Sequence, residues 1–116
     1  MKKINILKNS RDFDRIIKGN KPYKFKDYII YIERNTNDLY KFGLSVGKKI
    51  GNAVKRNKVK RQLKSIIDKK DYQNNFNCII IVGKGINERT FEERETNLLF
   101  ALNNLNIIKE KQDEKK

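Results

Sequence analysis

The sequence predicts a small single-domain α+β fold, a sandwich of helices on one mixed sheet in the order α-β-β-β-α-β-α. Three observations predict it. The chain has 116 residues, enough for one domain that buries most of its apolar surface without disulfides or metal. Bulky apolar residues alternate with small or polar ones from Tyr40 to Gly47, the pattern of a half-buried strand. From Val59 onward they recur instead at spacings of three and four, through Leu63, Ile66 and Ile67, the pattern of a helix with one buried stripe. Residues 1–108 are assigned to this domain. Residues 109–116, Lys109-Glu-Lys-Gln-Asp-Glu-Lys-Lys116, have no apolar anchor and are expected to form a charged, flexible tail.

The first helix is expected to use Ser10 as its cap. Asp12 and Asp14 stand in its first turn, where the helix dipole favours negative charge, and Gly19-Asn20 is its stop. Phe13, Ile16 and Ile17 share one face. Pro22 punctuates the connection, and the residues after it are expected to supply a short edge strand. Phe25 to Arg34 then reads as a strand rich in β-branched and aromatic residues. Tyr28, Ile30 and Ile32 point to one face; Ile29, Tyr31 and Glu33 point to the other.

Asn35-Thr-Asn-Asp38 is a turn cluster. The strand after it sets Tyr40, Phe42, Leu44 and Val46 on a bulky face, and Lys41, Gly43, Ser45 and Gly47 on a small, polar one. A face of glycine and serine is poorly suited to packing a helix over its full width, so room for a ligand is expected there. A basic helix follows from about Asn52 to Lys69. Asn77 to Lys84 is apolar on both faces, as in an interior strand, and Gly83-Lys-Gly85 reads as its exit. Thr90-Phe-Glu-Glu93 fits a capping box. It opens a last helix with Phe91, Leu98, Leu102 and Leu105 along one side.

Composition narrows the chemistry. Without histidine there is no ordinary general base near neutral pH, no Ser-His or Cys-His nucleophile and no usual zinc spacing, so no catalytic and no metal-ligating residue is assigned. Cys78 is the single cysteine and sits within an apolar strand, which makes it a packed thiol. Glu92, Glu93 and Glu95 lie in the first turn of a helix, where capping and dipole compensation explain them better than a metal does. The start of the chain, Met1-Lys-Lys-Ile-Asn-Ile-Leu7, has no apolar run long enough for a signal peptide. No segment approaches a transmembrane span. A cytoplasmic protein without a membrane partner is expected.

The formal net charge is +14. Ten lysines and arginines and one carboxylate, Asp68, stand between Lys48 and Lys70, so this window alone supplies +9. Cations at neighbouring helical positions repel one another, and a helix so loaded calls for a polyanion, of which nucleic acid is the obvious one. Lys58, Lys60, Arg61 and Lys64 fall outside the apolar stripe, so a folded helix presents them in a fixed array. Asn52 and Asn57 are interleaved, with amides suited to phosphate or 2′-hydroxyl oxygens. Gly51 precedes the helix, whose first N–H groups favour an anion.

Gly43-Leu-Ser-Val46, Lys48-Lys-Ile-Gly-Asn-Ala-Val54 and Arg56-Asn-Lys-Val-Lys-Arg61 together resemble the signature of the bacterial ribonuclease P protein family. That signature centres on Arg-Asn-Arg; here its third position is Lys58, which keeps the charge without the bidentate fork. Leu7-Lys-Asn-Ser-Arg-Asp-Phe13, Ile17-Lys-Gly19, Tyr28-Ile-Ile-Tyr31 and Cys78-Ile-Ile-Ile-Val82 extend the likeness from about Ile6 to Leu102. The resemblance implies a left-handed strand–helix–strand crossover around the basic helix, against the general rule. It implies a subunit of an endoribonuclease whose catalytic centre lies in a large RNA, with Mg²⁺ held mainly by that RNA. The protein would bind the ribonuclease P RNA and the 5′ leader of precursor tRNA, and would need no protein partner. The implied RNA-binding residues are Lys48, Lys49, Asn52, Lys55, Arg56, Asn57, Lys58, Lys60, Arg61 and Lys64. The implied leader cleft is Phe13, Ile17, Ile29 and Tyr31, with Ile17 standing where the family often has an aromatic.

Two other readings share the basic helix. One is a structural RNA-binding protein, such as a ribosomal protein, with no leader cleft. The other is a DNA-binding module, which would need a helix-turn-helix pair before the basic helix or heptads after it; neither is present.

Overall fold

The computed structural model describes residues 1–109. Four strands and three helices run in the order α1 (Ser10–Gly19), β1 (Tyr23–Phe25), β2 (Tyr28–Arg34), β3 (Tyr40–Ser45), α2 (Ala53–Ile67), β4 (Phe76–Val82) and α3 (Phe91–Asn104). The expected α-β-β-β-α-β-α order is therefore present. The tail assigned to 109–116 lies, from residue 110 on, outside the described residues; Lys109 itself donates its backbone N–H to Asp71 O at 2.8 Å.

The sheet order is β1-β2-β4-β3. β1–β2 and β2–β4 are antiparallel and β3–β4 is parallel, so the chain crosses from β3 through α2 to β4. β4 is interior and apolar on both faces. Cys78, Ile80 and Val82 join Tyr28, Ile30 and Phe42 in the main core under α2 and α3, with Leu63, Ile66, Leu98 and Leu102 packed against them. Ile79 faces the other way, where Leu7 and Ile16 cover it. The result is three layers: α1, the sheet, then α2 with α3. An aromatic group of Tyr40, Phe42, Tyr72 and Phe76 fills one end of the main core at centroid separations of 5.0–5.8 Å. The Tyr72 hydroxyl donates to Ile67 O at 2.7 Å and the Tyr28 hydroxyl to Arg94 O at 3.0 Å, so neither buried phenol lacks a partner.

Several expected boundaries shift. The cap of α1 is Asn9, whose side chain accepts from Arg11 N at 2.8 Å; Ser10 is the first helical residue. The strand expected from Phe25 to Arg34 is broken at Lys26-Asp27, a two-residue hairpin turn with Lys26 at φ 54, so Phe25 belongs to the edge strand. β3 stops at Ser45, and a 3-10 turn over Lys48–Ile50 separates it from α2. In α3 the buried side is Leu98, Ala101 and Leu102, while Phe91 is 39% exposed. The capping box Thr90–Glu93 is present with both its hydrogen bonds, at 3.1 and 2.9 Å.

A clasp ties α1 to the sheet. Arg15 donates to both Glu33 oxygens at 3.0 and 2.9 Å, and Asn77 Nδ2 donates to Glu33 Oε1 at 2.9 Å. The Arg15 hydrogen bonds hold the Glu33 carboxyl below its ordinary value of 4.5; partial burial opposes this, and Asn77 adds to the lowering. A carboxyl depressed on folding contributes stability that is complete above its unfolded value and lost as pH falls through its lowered folded value. Glu33→Gln should therefore melt at a lower temperature than the parent at pH 7. The two should converge as the pH is taken below the folded value. An offset in melting temperature that stays constant through that range would show that the clasp is not what stabilises α1 on the sheet.

Candidate nucleic-acid interface

The basic helix starts from a fixed turn. Gly51 has φ 149 and ψ −163, a conformation that side chains disfavour, and a Cβ there would lie 2.7 Å from Lys55 Cδ. Asn52 is the N-cap, its Oδ1 accepting from Lys55 N at 3.0 Å. Arg56 Nε donates to Gly51 O at 3.1 Å. Asn52 and Arg56 thus have a folding role that the sequence reading did not give them, because the turn they hold is visible only in three dimensions. Asn52 keeps its amide NH₂ for a ligand, and Arg56 keeps its two terminal nitrogens.

Val59, Leu63, Ile66 and Ile67 form the buried stripe as expected. Lys48, Lys49, Asn52, Lys55, Asn57, Lys58 and Arg61 are exposed, and Arg56, Lys60 and Lys64 are half-buried. The eight cations in this set take part in none of the ion pairs among the described residues, which are Met1–Asp68, Arg15–Asp12, Arg15–Glu33, Lys69–Glu95 and Arg89–Asp27. Helical geometry at 100° per residue puts Asn57 and Arg61 opposite the stripe. Lys60 and Lys64 lie along one flank, beside a hollow of about 200 Å³ bounded by Leu7, Lys8, Phe42 and Leu44. Lys55 and Lys58 lie along the other flank, beside the start of α3. The positive charge therefore wraps three sides of α2.

The proposed cleft residues lie on the opposite face of the sheet. Phe13, Ile17 and Tyr31 are half-buried and pack with Ile81 on a floor of Leu7, Ile16 and Ile79. Ile29 is half-buried outside this cluster, but it pairs across the sheet with Ile81 and so continues the same face. Ile81 was missed as a site residue because the run Cys78-Ile-Ile-Ile-Val82 gives no sign of which of its members faces the cleft. The room expected over Gly43 is filled in part. A Cβ on Gly43 would lie 2.5 Å from Phe13 Cζ, so the bare glycine seats the Phe13 ring against β3. What stays open is the half-exposed band of Phe13, Ile17, Tyr31 and Ile81 beside that contact.

Little else suits chemistry. Among the described residues no three His, Cys, Asp or Glu side chains gather where they could hold a metal ion. Cys78 is fully buried, and burial pushes its thiol well above the ordinary range, leaving it protonated and unreactive. Glu93 is spent in the capping box and Glu95 is paired with Lys69.

Residues 1–106 match the ribonuclease P protein family, described as "Ribonuclease P". The ribonuclease P protein component of Streptococcus pyogenes is 36% identical over 103 residues, covering 88% of this chain and 87% of that protein. That of Streptococcus pneumoniae is 34% identical over 112 residues, covering 95% and 91%. Among solved structures, the RNase P protein of Staphylococcus aureus superposes with a TM-score of 0.81 at 27% identity, covering 92% of this chain and all of that one. The RNase P protein of Thermotoga maritima superposes with a TM-score of 0.77 at 27% identity, covering 84% and 94%. With the α+β topology, the basic helix and these likenesses in agreement, the chain belongs to the ribonuclease P protein family, the protein component of a tRNA-processing endoribonuclease, and not to the ribosomal scaffolds.

Proposed function

We propose that α2 binds the catalytic RNA of ribonuclease P, while the band of Phe13, Ile17, Ile29 and Tyr31 holds the 5′ leader of precursor tRNA. The reaction hydrolyses the phosphodiester between leader and mature tRNA 5′ end. In this reading the RNA supplies the reacting centre and holds the Mg²⁺ it needs, and the protein supplies position. The cations of α2 neutralise RNA phosphates, and the cleft fixes the strand to be removed. No protein partner is required. In this reading the site of action is the cytoplasm.

One observation carries the reading: eight cations on and just before a single folded helix, none of them in an ion pair among the described residues. An array so self-repelling is stabilised when phosphates replace its counterions. Arg61 tests it cleanly, being exposed, opposite the stripe and without a side-chain hydrogen bond among the described residues. Arg61→Ala should weaken binding to the RNA by about 1–3 kcal/mol if the guanidinium makes paired contacts. The melting temperature of the free protein should hardly move. Unchanged RNA affinity, or a loss that merely follows lowered stability, would count against α2 as the RNA-binding element.

A further inference from the structure

On the flank of α2 away from β3, α2 and the first turn of α3 bound a groove of about 320 Å³. Lys55, Lys58 and Gln62 line it from α2, and Arg89, Phe91 and Arg94 line it from the start of α3. With Val59 also on the α2 side, three of the seven lining residues lie outside the basic helix.

Four cations meet in the groove. Arg89 Nε donates to Asp27 Oδ2 at 2.8 Å, so the β1–β2 hairpin fixes its direction. Arg94 donates to Ile86 O through Nε and Nη2, at 3.2 and 2.9 Å, and to Gln62 Oε1 through Nη1, at 2.7 Å. None of those acceptors is a carboxylate, so the Arg94 charge is held in place without being cancelled. Lys55 and Lys58 form no ion pair among the described residues. The facing acids are Asp27, bonded to Arg89, and Glu93, turned back to Thr90 N in the capping box. Four cations against these two carboxylates leave the groove with a formal net charge of +2.

Phe91 adds an apolar wall. It is 39% exposed, with Lys69 Nζ 5.6 Å from its ring centroid. Fixed positive charge beside an exposed aromatic ring is the chemistry that receives a phosphodiester and an unpaired base. The volume suits one nucleotide rather than a duplex. The sheet separates this groove from the Phe13–Tyr31 face, so a leader lying there would not enter it.

We propose that the α2–α3 groove is a nucleotide subsite for ribonuclease P RNA, with one phosphodiester held by Lys55, Lys58 and Arg89 and its unpaired base against Phe91. Gln62 and Arg94 position one another on its wall. This rests on the reading that α2 binds that RNA, and it extends the contact to residues of α3.

The test compares Arg89→Gln, Phe91→Ala, Lys58→Gln and the Lys58→Gln/Arg89→Gln pair with Arg61→Gln, all in the full chain. Affinity for the RNA subunit alone is measured across a salt series, with melting curves of the free proteins alongside. Precursor tRNA is then titrated into holoenzyme rebuilt with each variant. Arg89→Gln should weaken binding to the RNA subunit about tenfold and reduce the salt slope by about one. Phe91→Ala should weaken it about tenfold with the slope unchanged. The Lys58→Gln and Arg89→Gln losses should be less than additive, since both side chains hold one phosphate. If Arg89→Gln lowers stability through Asp27, the exposed Phe91→Ala still decides. Normal RNA affinity in Arg89→Gln and Phe91→Ala, with a loss in Arg61→Gln, would overturn the groove and leave α2 as the RNA-binding element. Normal affinity in all of them would overturn both. A loss seen only with precursor tRNA would overturn the assignment to the RNA subunit.

Discussion

Binding of the protein to ribonuclease P RNA is expected to weaken on the order of 10³-fold or more between 50 and 200 mM monovalent salt, as for a ligand that neutralises six or more phosphates. The expectation follows from the ion-pair pattern. Eight cations in and just before α2 have no acidic partner among the described residues, so each is free to displace a counterion from the RNA. The charge is also rigidly displayed, since Leu63 and Ile66 beneath it are fully buried. A titration series by filter binding or fluorescence gives the slope directly. A shallow slope would show that most of the +14 is a solvated surface and that the RNA is gripped by other means.

Tyr31→Ala is expected to reduce the affinity of the rebuilt holoenzyme for precursor tRNA by about 1–3 kcal/mol, the worth of one stacked base, while leaving mature tRNA nearly unaffected. Tyr31 lies on the α1 side of the sheet, half-buried beside Phe13, Ile17 and Ile81, and no hydrogen bond fixes its hydroxyl among the described residues. The leader is the part of the substrate that mature tRNA lacks, so a residue contacting only the leader discriminates between the two. Arg61→Ala should instead weaken assembly with the RNA whichever tRNA is present. The paired titration separates the two faces of the molecule. Equal losses for both tRNA forms in Tyr31→Ala would sink the leader assignment and leave the α2 assignment standing.

The parts of this protein legible in its sequence are those fixed by local period. The α2 stripe, the two faces of β2 and the capping box of α3 are each set by residues within a few positions of one another, and all three are present. The hairpin at Lys26-Asp27 was hidden because neither residue is the Asn or Gly that usually marks such a turn. Here Asp27 is held from afar, its carboxylate by Arg89 and its carbonyl by Gly83 N–H at 2.7 Å. The space over Gly43 is filled in part for a similar reason, while that over Gly47 on the same face stays open. A glycine face reads as empty until the tertiary fold brings the Phe13 ring onto it. Phe91 keeps the helical spacing of Leu98 and Leu102, yet the first turn of α3 overhangs the core edge, so the same spacing puts it in the groove beside Lys55 and Lys58. Sites made by two elements far apart in sequence leave no periodic trace in either.

The most direct test of the central claim is the single-turnover cleavage of a precursor tRNA by its matched ribonuclease P RNA, at limiting Mg²⁺, with and without this protein. The account predicts that the protein raises the rate or tightens the substrate, and that it produces no cleavage by itself. It also predicts that the gain is lost when the basic array of α2 is neutralised. Cleavage by the RNA that is the same with and without a folded, RNA-bound protein would contradict it.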